Sequence, residues 1–192
     1  MLKKVILASA SPRRKELLEQ IGLKFEAEPS NHTEKIHSKL KPHELAQARS
    51  REKAQVVASK HKNAVVIAAD TFIVFKGKTI GKPNTEAEAR EMLAKLSGNP
   101  HAVVTGFTII DADKNKIVSK SVATKVHLKK LTPSEIDAYV KSKEPMDKAG
   151  AYAIQGLGAA IVDKIEGDYF NVVGLPLCEL VESLKEFGVH VL

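Results

Sequence analysis

Apolar and polar positions along the chain alternate between two periods, and the pattern predicts strands and helices in turn. Lys4 to Ala8 predicts a buried strand, and Pro12 to Ile21 a helix that stops near Gly22. Phe25 to Glu28 predicts a short strand, and the polar stretch Ser30 to Lys41 a loop. Pro42 to Lys60 carries Leu45, Ala48, Ala54, Val56 and Val57 at helical spacing. The most apolar segment, Ala64 to Phe75, is rich in β-branched residues and closes on the turn Lys76-Gly77-Lys78. Thr85 to Leu96 predicts a helix, and His101 to Asp111 with Lys116 to Leu128 a hairpin around Asp113-Lys114-Asn115. A helix is expected over Thr132 to Lys141, opened by Thr-Pro-Ser-Glu. Ala159 to Ile165 and Tyr169 to Val173 predict two further strands around Glu166-Gly167-Asp168, and Pro176 to Glu186 a last helix. Strands alternating with helices imply an α/β fold with a mixed, twisted sheet flanked by helices. No repeat, low-complexity tract or linker divides the chain, so residues 1–192 are expected to form one domain, whose two ends could still stand as lobes.

Composition narrows the chemistry. Lys and Arg number 30 against 23 Asp and Glu, a formal net charge of +7, which points to an anionic partner. Cys178 is the single cysteine, which excludes an internal disulfide and a cysteine metal cluster and suits a reducing, cytoplasmic compartment. No apolar run approaches the roughly 20 residues that span a bilayer, so no membrane partner is expected. The short run Val5 to Ala8, followed at once by Arg13 and Arg14, does not make a signal peptide. Aromatic residues are 5% of the chain and no RNA-recognition signature is present, which argues against stable nucleic-acid binding. Gly77-Lys78-Thr79 lacks the first glycine of a phosphate-binding loop, and Gly156-Leu157-Gly158 fails as a dinucleotide fingerprint. The seven histidines have no metal-ligand spacing, and His32, His37 and His43 lie in or beside the polar loop as solvated residues.

Three segments break local rules. In Ser9-Ala10-Ser11-Pro12-Arg13-Arg14-Lys15, Ser11 suits an N-cap and Pro12 the first helical position. Three cations then sit at the positive end of a helix dipole, an arrangement that costs about 0.3–1 kcal/mol per charge unless an anion compensates. Backbone N–H groups, two guanidinium groups and a hydroxyl at a strand-to-helix turn are the makings of a phosphate site, unless the arginines merely face solvent or distant carboxylates. Asp70 is the only charged residue in AVVIAADTFIVF. A carboxylate inside an apolar strand must be paired, hydrogen-bonded or metal-bound, and such a group can act as a general base or ligand; the alternative is an exposed strand end that begins a turn. Lys143 to Gly156 mixes charges, small residues and glycines, as suits backbone approached closely by a ligand, and Gln155 could read a base edge.

These segments, SASPRRKELL, AADT and KEPMDKAGAYAIQG, together with Gly81-Lys82-Pro83 and GDYFNVVGLPL, resemble the Maf family of nucleotide pyrophosphatases across nearly the whole chain. Ala69 and Ala153 stand where many members carry glycine, without loss of a functional group. The resemblance implies two lobes around a central nucleotide-binding cleft, related to the ITPase-like folds. It implies hydrolysis of a nucleoside triphosphate to the monophosphate and pyrophosphate, a house-cleaning hydrolase acting on an acid anhydride. Asp70 falls on the family's proton acceptor. Arg13, Thr71 and Gln155 match the three positions that separate substrates, and match the dTTP/UTP subgroup; the 7-methyl-GTP subgroup has an aromatic residue, Gln and Glu there. Modified uridine triphosphates would present the same edge. Ser9, Arg14, Lys53 and Lys82 match phosphate-binding positions, and Glu34 with Asp70 would hold a divalent cation, Mg²⁺ or Mn²⁺ rather than Zn²⁺. The partner is then a small nucleoside triphosphate, and a homodimer is compatible with the sequence. A purine-analogue (ITP-type) pyrophosphatase and a non-catalytic regulator of septum formation are the competing readings.

Overall fold

The computed structural model describes residues 3–31, 40–114 and 116–192. Most of the loop expected over Ser30 to Lys41, with His32, Glu34 and His37, lies outside them, as does Asn115. Six helices and seven strands are present among the described residues. They follow the order β1 (Lys4–Leu7), α1 (Pro12–Gln20), β2 (Glu26–Ala27), α2 (Pro42–Ala58), β3 (Ala64–Phe75), β4 (Lys78–Ile80), α3 (Glu86–Leu96), β5 (Pro100–Asp111), β6 (Ile117–Leu128), α4 (Pro133–Lys141), β7 (Val162–Glu166), α5 (Tyr169–Val173) and α6 (Leu177–Lys185).

The strands make a seven-stranded sheet in the order β2-β1-β3-β5-β6-β7, with β4 also paired to β3. β1 is parallel to both β2 and β3, whereas β4 and β7 pair antiparallel with β3 and β6, so the sheet is mixed. The β3–β4 turn uses Lys76 and Gly77, both at positive φ, the conformation a two-residue hairpin turn demands.

The chain forms two compact units. The first holds residues 1–70, 105–122 and 174–192, the second residues 71–104 and 123–173. In the first, one cluster of the core packs α2 residues Ala54 and Val57 against Ile6, Ala64, Val66, Ala68 and Ile110 of the strands. In the second, α3 and α4 bury Leu93, Leu96, Ile136 and Val140 with Ile73, Val103, Val126 and Tyr152. β3, β5 and β6 each contribute residues to both units.

Two local expectations are corrected. Tyr169 to Val173 is a helix, α5, not a strand. Asp168 Oδ1 accepts from the N–H groups of Phe170 and Asn171, at 2.7 and 3.2 Å, and this side-chain turn starts a helix in spite of the β-branched residues that follow. The strand expected from Ala159 begins only at Val162, because Gly156 to Ala160 winds as a 3₁₀ turn.

Candidate active site

The first unit gathers the expected phosphate-binding segment and Asp70. β1 and β3 run parallel with Leu7 beside Ile67, and Ala8 N–H donates to the Ile67 carbonyl at 2.7 Å. The chain leaves β1 at Ser9, which is buried, and turns into α1. Ser11 is the residue before the helix, as expected, but its side chain makes no capping bond. Ser9 takes over instead: its Oγ accepts from Ser11 N–H and from Arg14 Nη1, both at 3.2 Å. Arg14 Nε donates to the Gly174 carbonyl at 2.8 Å, so the guanidinium is held at both ends. Burial pushes the Arg14 pKa down to about 10, with the Asp70 charge opposing and Arg13 adding to the shift. The side chain therefore stays cationic at neutral pH. Arg13, one position earlier, has a buried Nε with no hydrogen-bond partner among the described residues. No acidic residue stands in the first turn of α1 to compensate these cations.

Asp70 is in the interior of β3, 7% exposed, which removes the alternative of a turn-initiating strand end. Its Oδ1 accepts from Lys53 Nζ at 2.5 Å, and Arg49 Nη1 lies 3.6 Å from Oδ2. Oδ2 accepts no hydrogen bond among the described residues. Lys53 and Arg49 are four residues apart on α2 and therefore share one helix face. Lys53 is expected from the family resemblance and Arg49 is not; the i, i+4 spacing of two cations on one helix is the signal in the sequence that points to it.

The second unit holds Thr71, Lys82 and Gln155. Thr71 follows Asp70 directly and is half-buried, Lys82 is exposed, and Gln155 is half-buried. Gly150 N–H donates to the Gly81 carbonyl at 2.8 Å, which ties the Lys82 segment to the one leading to Gln155. The glycines of that segment are required by the protein's own packing. A Cβ on Gly156, whose φ is +65°, would stand 2.5 Å from Glu144 Oε2, and one on Gly158 would stand 2.1 Å from the Ala153 carbonyl oxygen. The space is taken by the protein's own groups. Glu144, which the sequence places in this segment without a role, accepts hydrogen bonds from Tyr139, Leu157 and Gly158.

Glu34 lies outside the described residues, and among those described no group of three or more His, Cys, Asp or Glu comes together. Asp70 Oδ2 is nonetheless a hard oxygen donor with open lone pairs in a buried place. That donor fits Mg²⁺ or Mn²⁺ arriving with a polyphosphate, because such ions keep waters and phosphate oxygens and need only one or two carboxylates. The three or four protein ligands that zinc takes do not come together among the described residues.

The family described as Maf-like protein matches residues 4–187. A relative from Carboxydothermus hydrogenoformans is 51% identical over 96% of this chain and 99% of its own length. Relatives from Bacillus cereus and Methanosarcina barkeri are 47% and 48% identical, each over 99% of this chain and over 93% and 97% of their own lengths. All three are named dTTP/UTP pyrophosphatase. The solved structure of the Staphylococcus aureus Ham1 protein overlays 83% of this chain and 80% of its own, with a TM-score of 0.48 and 14% identity, a likeness too slight to carry weight. No described helix is long and apolar enough to cross a membrane. A match from residue 4 to residue 187, joined by relatives about half identical along the same length, shows that this chain belongs to the Maf family.

Proposed function

We propose that the chain hydrolyses dTTP and UTP, and uridine triphosphates modified away from the recognised edge, to the nucleoside monophosphate and pyrophosphate. The observation that carries this reading is the state of Asp70. It is buried, its Oδ1 is held by Lys53, and its Oδ2 is without a hydrogen bond among the described residues. A carboxylate oxygen kept bare in such a place is poised to accept a proton or a ligand. The names of relatives about half identical supply the reaction and the nucleotides.

The chemistry then follows from charges. Arg14, fixed by Ser9 and Gly174, offers a rigid guanidinium to a phosphate, and Arg13 brings a second one with an unused Nε. A polyphosphate there would also offset the cations at the start of α1, which no acid in that turn balances. Asp70 Oδ2 takes the proton of the attacking water. The water oxygen bonds to the α-phosphorus as its bond to the α,β-bridging oxygen breaks, and pyrophosphate leaves with that electron pair. Lys53 holds Asp70 Oδ1 in place before attack and faces the charge that develops during it, and Lys82 is assigned to the leaving pyrophosphate. Thr71 and Gln155 are assigned to the pyrimidine, whose acceptor–donor–acceptor edge suits a glutamine amide. Mg²⁺ or Mn²⁺, held by Asp70 and by Glu34, would supply neutralisation of phosphate charge. Such a reaction clears unwanted nucleotides from the cytoplasmic pool, a compartment that agrees with a single cysteine.

The test is pyrophosphate release from dTTP, UTP, CTP, ITP and 7-methyl-GTP, with Mg²⁺, with Mn²⁺ and with chelator. Turnover of dTTP and UTP that requires the metal is expected, and Asp70→Asn should fold yet lose at least about 100-fold in kcat. Hydrolysis in ¹⁸O-water should label the monophosphate. Release of orthophosphate, preference for ITP, or binding without turnover would each refute the assignment.

A further inference from the structure

Glu144 takes no part in the phosphate chemistry, yet its carboxylate is more fully engaged than that of Asp70. Oε1 accepts from the Tyr139 hydroxyl at 2.8 Å and from Gly158 N–H at 2.9 Å, and Oε2 accepts from Leu157 N–H at 3.0 Å. The Tyr139 oxygen in turn accepts from Ala153 N–H at 3.1 Å. Tyr139 is anchored on α4 and belongs to the core of the second unit. Both ends of the stretch 153–158 are thus tied to one carboxylate and one phenol, with Gln155 between them.

The fit leaves no slack. Gly156 and Gly158 are the only residue type the approach permits, since a Cβ on Gly158 would also lie 2.7 Å from the Tyr139 oxygen. Burial works to raise the Glu144 pKa, but the bonds from Tyr139, Gly158 and Leu157 outweigh it and hold the carboxyl below its ordinary value. Three donors converge on this side chain, so it must be an acceptor at both oxygens. A glutamine in its place would turn an N–H toward at least one backbone N–H in either orientation of the amide.

We infer that Glu144 and Tyr139 are positioning residues for base selection: they clamp the 153–158 stretch and so fix where the Gln155 amide is presented. The inference rests on the proposed role of Gln155 at the base. Uracil and cytosine differ there by exchange of an acceptor and a donor for a donor and an acceptor. Rejecting the wrong edge requires the amide to be presented from one place, and the clamp fixes the backbone that carries it.

The experiment compares wild type, Gln155→Ala, Glu144→Gln and Tyr139→Phe for pyrophosphate release from UTP and CTP. Thermal melting and amide hydrogen exchange are measured alongside. Wild type should prefer UTP, and Gln155→Ala should reduce the UTP/CTP ratio of kcat/KM. Glu144→Gln should reduce it by about tenfold or more, chiefly through KM for UTP, with kcat within about threefold. The amides of Leu157 and Gly158 should exchange about tenfold faster in that variant. Tyr139→Phe, which keeps the buried ring and deletes only the hydroxyl, should move the ratio in the same direction and decides the matter if Glu144→Gln does not fold. A ratio lost in Gln155→Ala but kept in both clamp variants overturns the clamp and leaves the base reading standing. A ratio unchanged in Gln155→Ala, or absent in wild type, overturns the base reading and the selectivity role of the clamp with it.

Discussion

Gly106 offers a direct way to perturb the Asp70 ion pairs without touching them. It lies within β5 against α2, the helix that carries Arg49 and Lys53. A Cβ there would stand 2.3 Å from both the carbonyl carbon and oxygen of Ala46 and 2.7 Å from the amide nitrogen of Gln47. These are helix backbone atoms, which cannot rotate aside. Restoring ordinary contact at about 3.4 Å means that α2 retreats by about 1 Å. The Ser50–Thr108 hydroxyl bond of 2.8 Å, which fastens the same helix to β5, would stretch with it. Overpacking of this kind costs about 1–3 kcal/mol. For a chain of this size that is a fall in Tm of about 2–4 °C per kcal/mol. The retreat also draws Lys53 and Arg49 away from Asp70, now 2.5 and 3.6 Å distant. A misplacement of about 1 Å at a reacting group is worth about 100-fold in rate. Gly106→Ala is therefore expected to melt lower and to release pyrophosphate from UTP about 100-fold more slowly at a temperature where it is fully folded. Wild-type melting and turnover would refute the packing argument. Lower melting with wild-type turnover would refute the claim that the seating of α2 governs the chemistry at Asp70.

Two further expectations concern stability. His101 is buried, with Nε2 2.6 Å from the Tyr152 hydroxyl and Nδ1 3.4 Å from the Asn99 carbonyl, and burial lowers its pKa to about 4 against the opposing Asn99 bond. The unfolded chain, with an ordinary histidine near 6.5, takes up the proton first as pH falls, so the contribution is complete above about pH 6.5 and is lost towards pH 4 at about 1.4 kcal/mol per unit, about 3 kcal/mol in all. Urea unfolding at pH 7.5, 6 and 5 should show this slope in wild type and a flatter one in His101→Gln; equal slopes would refute it. Asp168→Ala deletes the acceptor that starts α5 and should cost about 1 kcal/mol, a Tm lower by roughly 2–4 °C, whereas Asp168→Asn keeps an acceptor and should lose less; a melting scan of the pair decides it.

The fold was legible where periodicity and punctuation agreed. β3 runs over the residues its apolar pattern predicted, and Thr132 with Glu135 closes the capping box that Thr-Pro-Ser-Glu announced. It was not legible at Tyr169 to Val173, where aromatic and β-branched residues gave a strand pattern. There the decision lies with Asp168 and with the buried Asn171, whose amide donates to the Val103 carbonyl and to Thr124 Oγ1 at 3.0 Å each. Those two partners are 68 and 47 residues away, beyond the reach of any local rule. The candidate site divides the same way. Asp70, Arg13 and Arg14 announce themselves by violating local preference. Arg49 does not, because a cation on a helix exposed elsewhere to water is ordinary, and it is its 3.6 Å approach to Asp70 that draws it into the site.

The half-buried Glu144 and the buried Asp70 show how differently two carboxylates can be used. Glu144 is surrounded by donors supplied by its own unit, and each of its oxygens is spoken for. Its charge is fully used in holding backbone, and losing it should loosen a loop. Asp70 is more deeply buried, yet Lys53 holds only its Oδ1, and Oδ2, with Arg49 3.6 Å away, has no hydrogen bond among the described residues. An unsatisfied acceptor in such a place costs about 1–3 kcal/mol. A fold that needed Asp70 only for stability could remove that cost with one hydroxyl or one N–H, as it does for Glu144. Retaining it makes sense where the missing partner is external: a water to be deprotonated, or an ion that comes with the substrate. Unmet hydrogen-bonding capacity, more than burial or charge, separates the role proposed for Asp70 from the one proposed for Glu144.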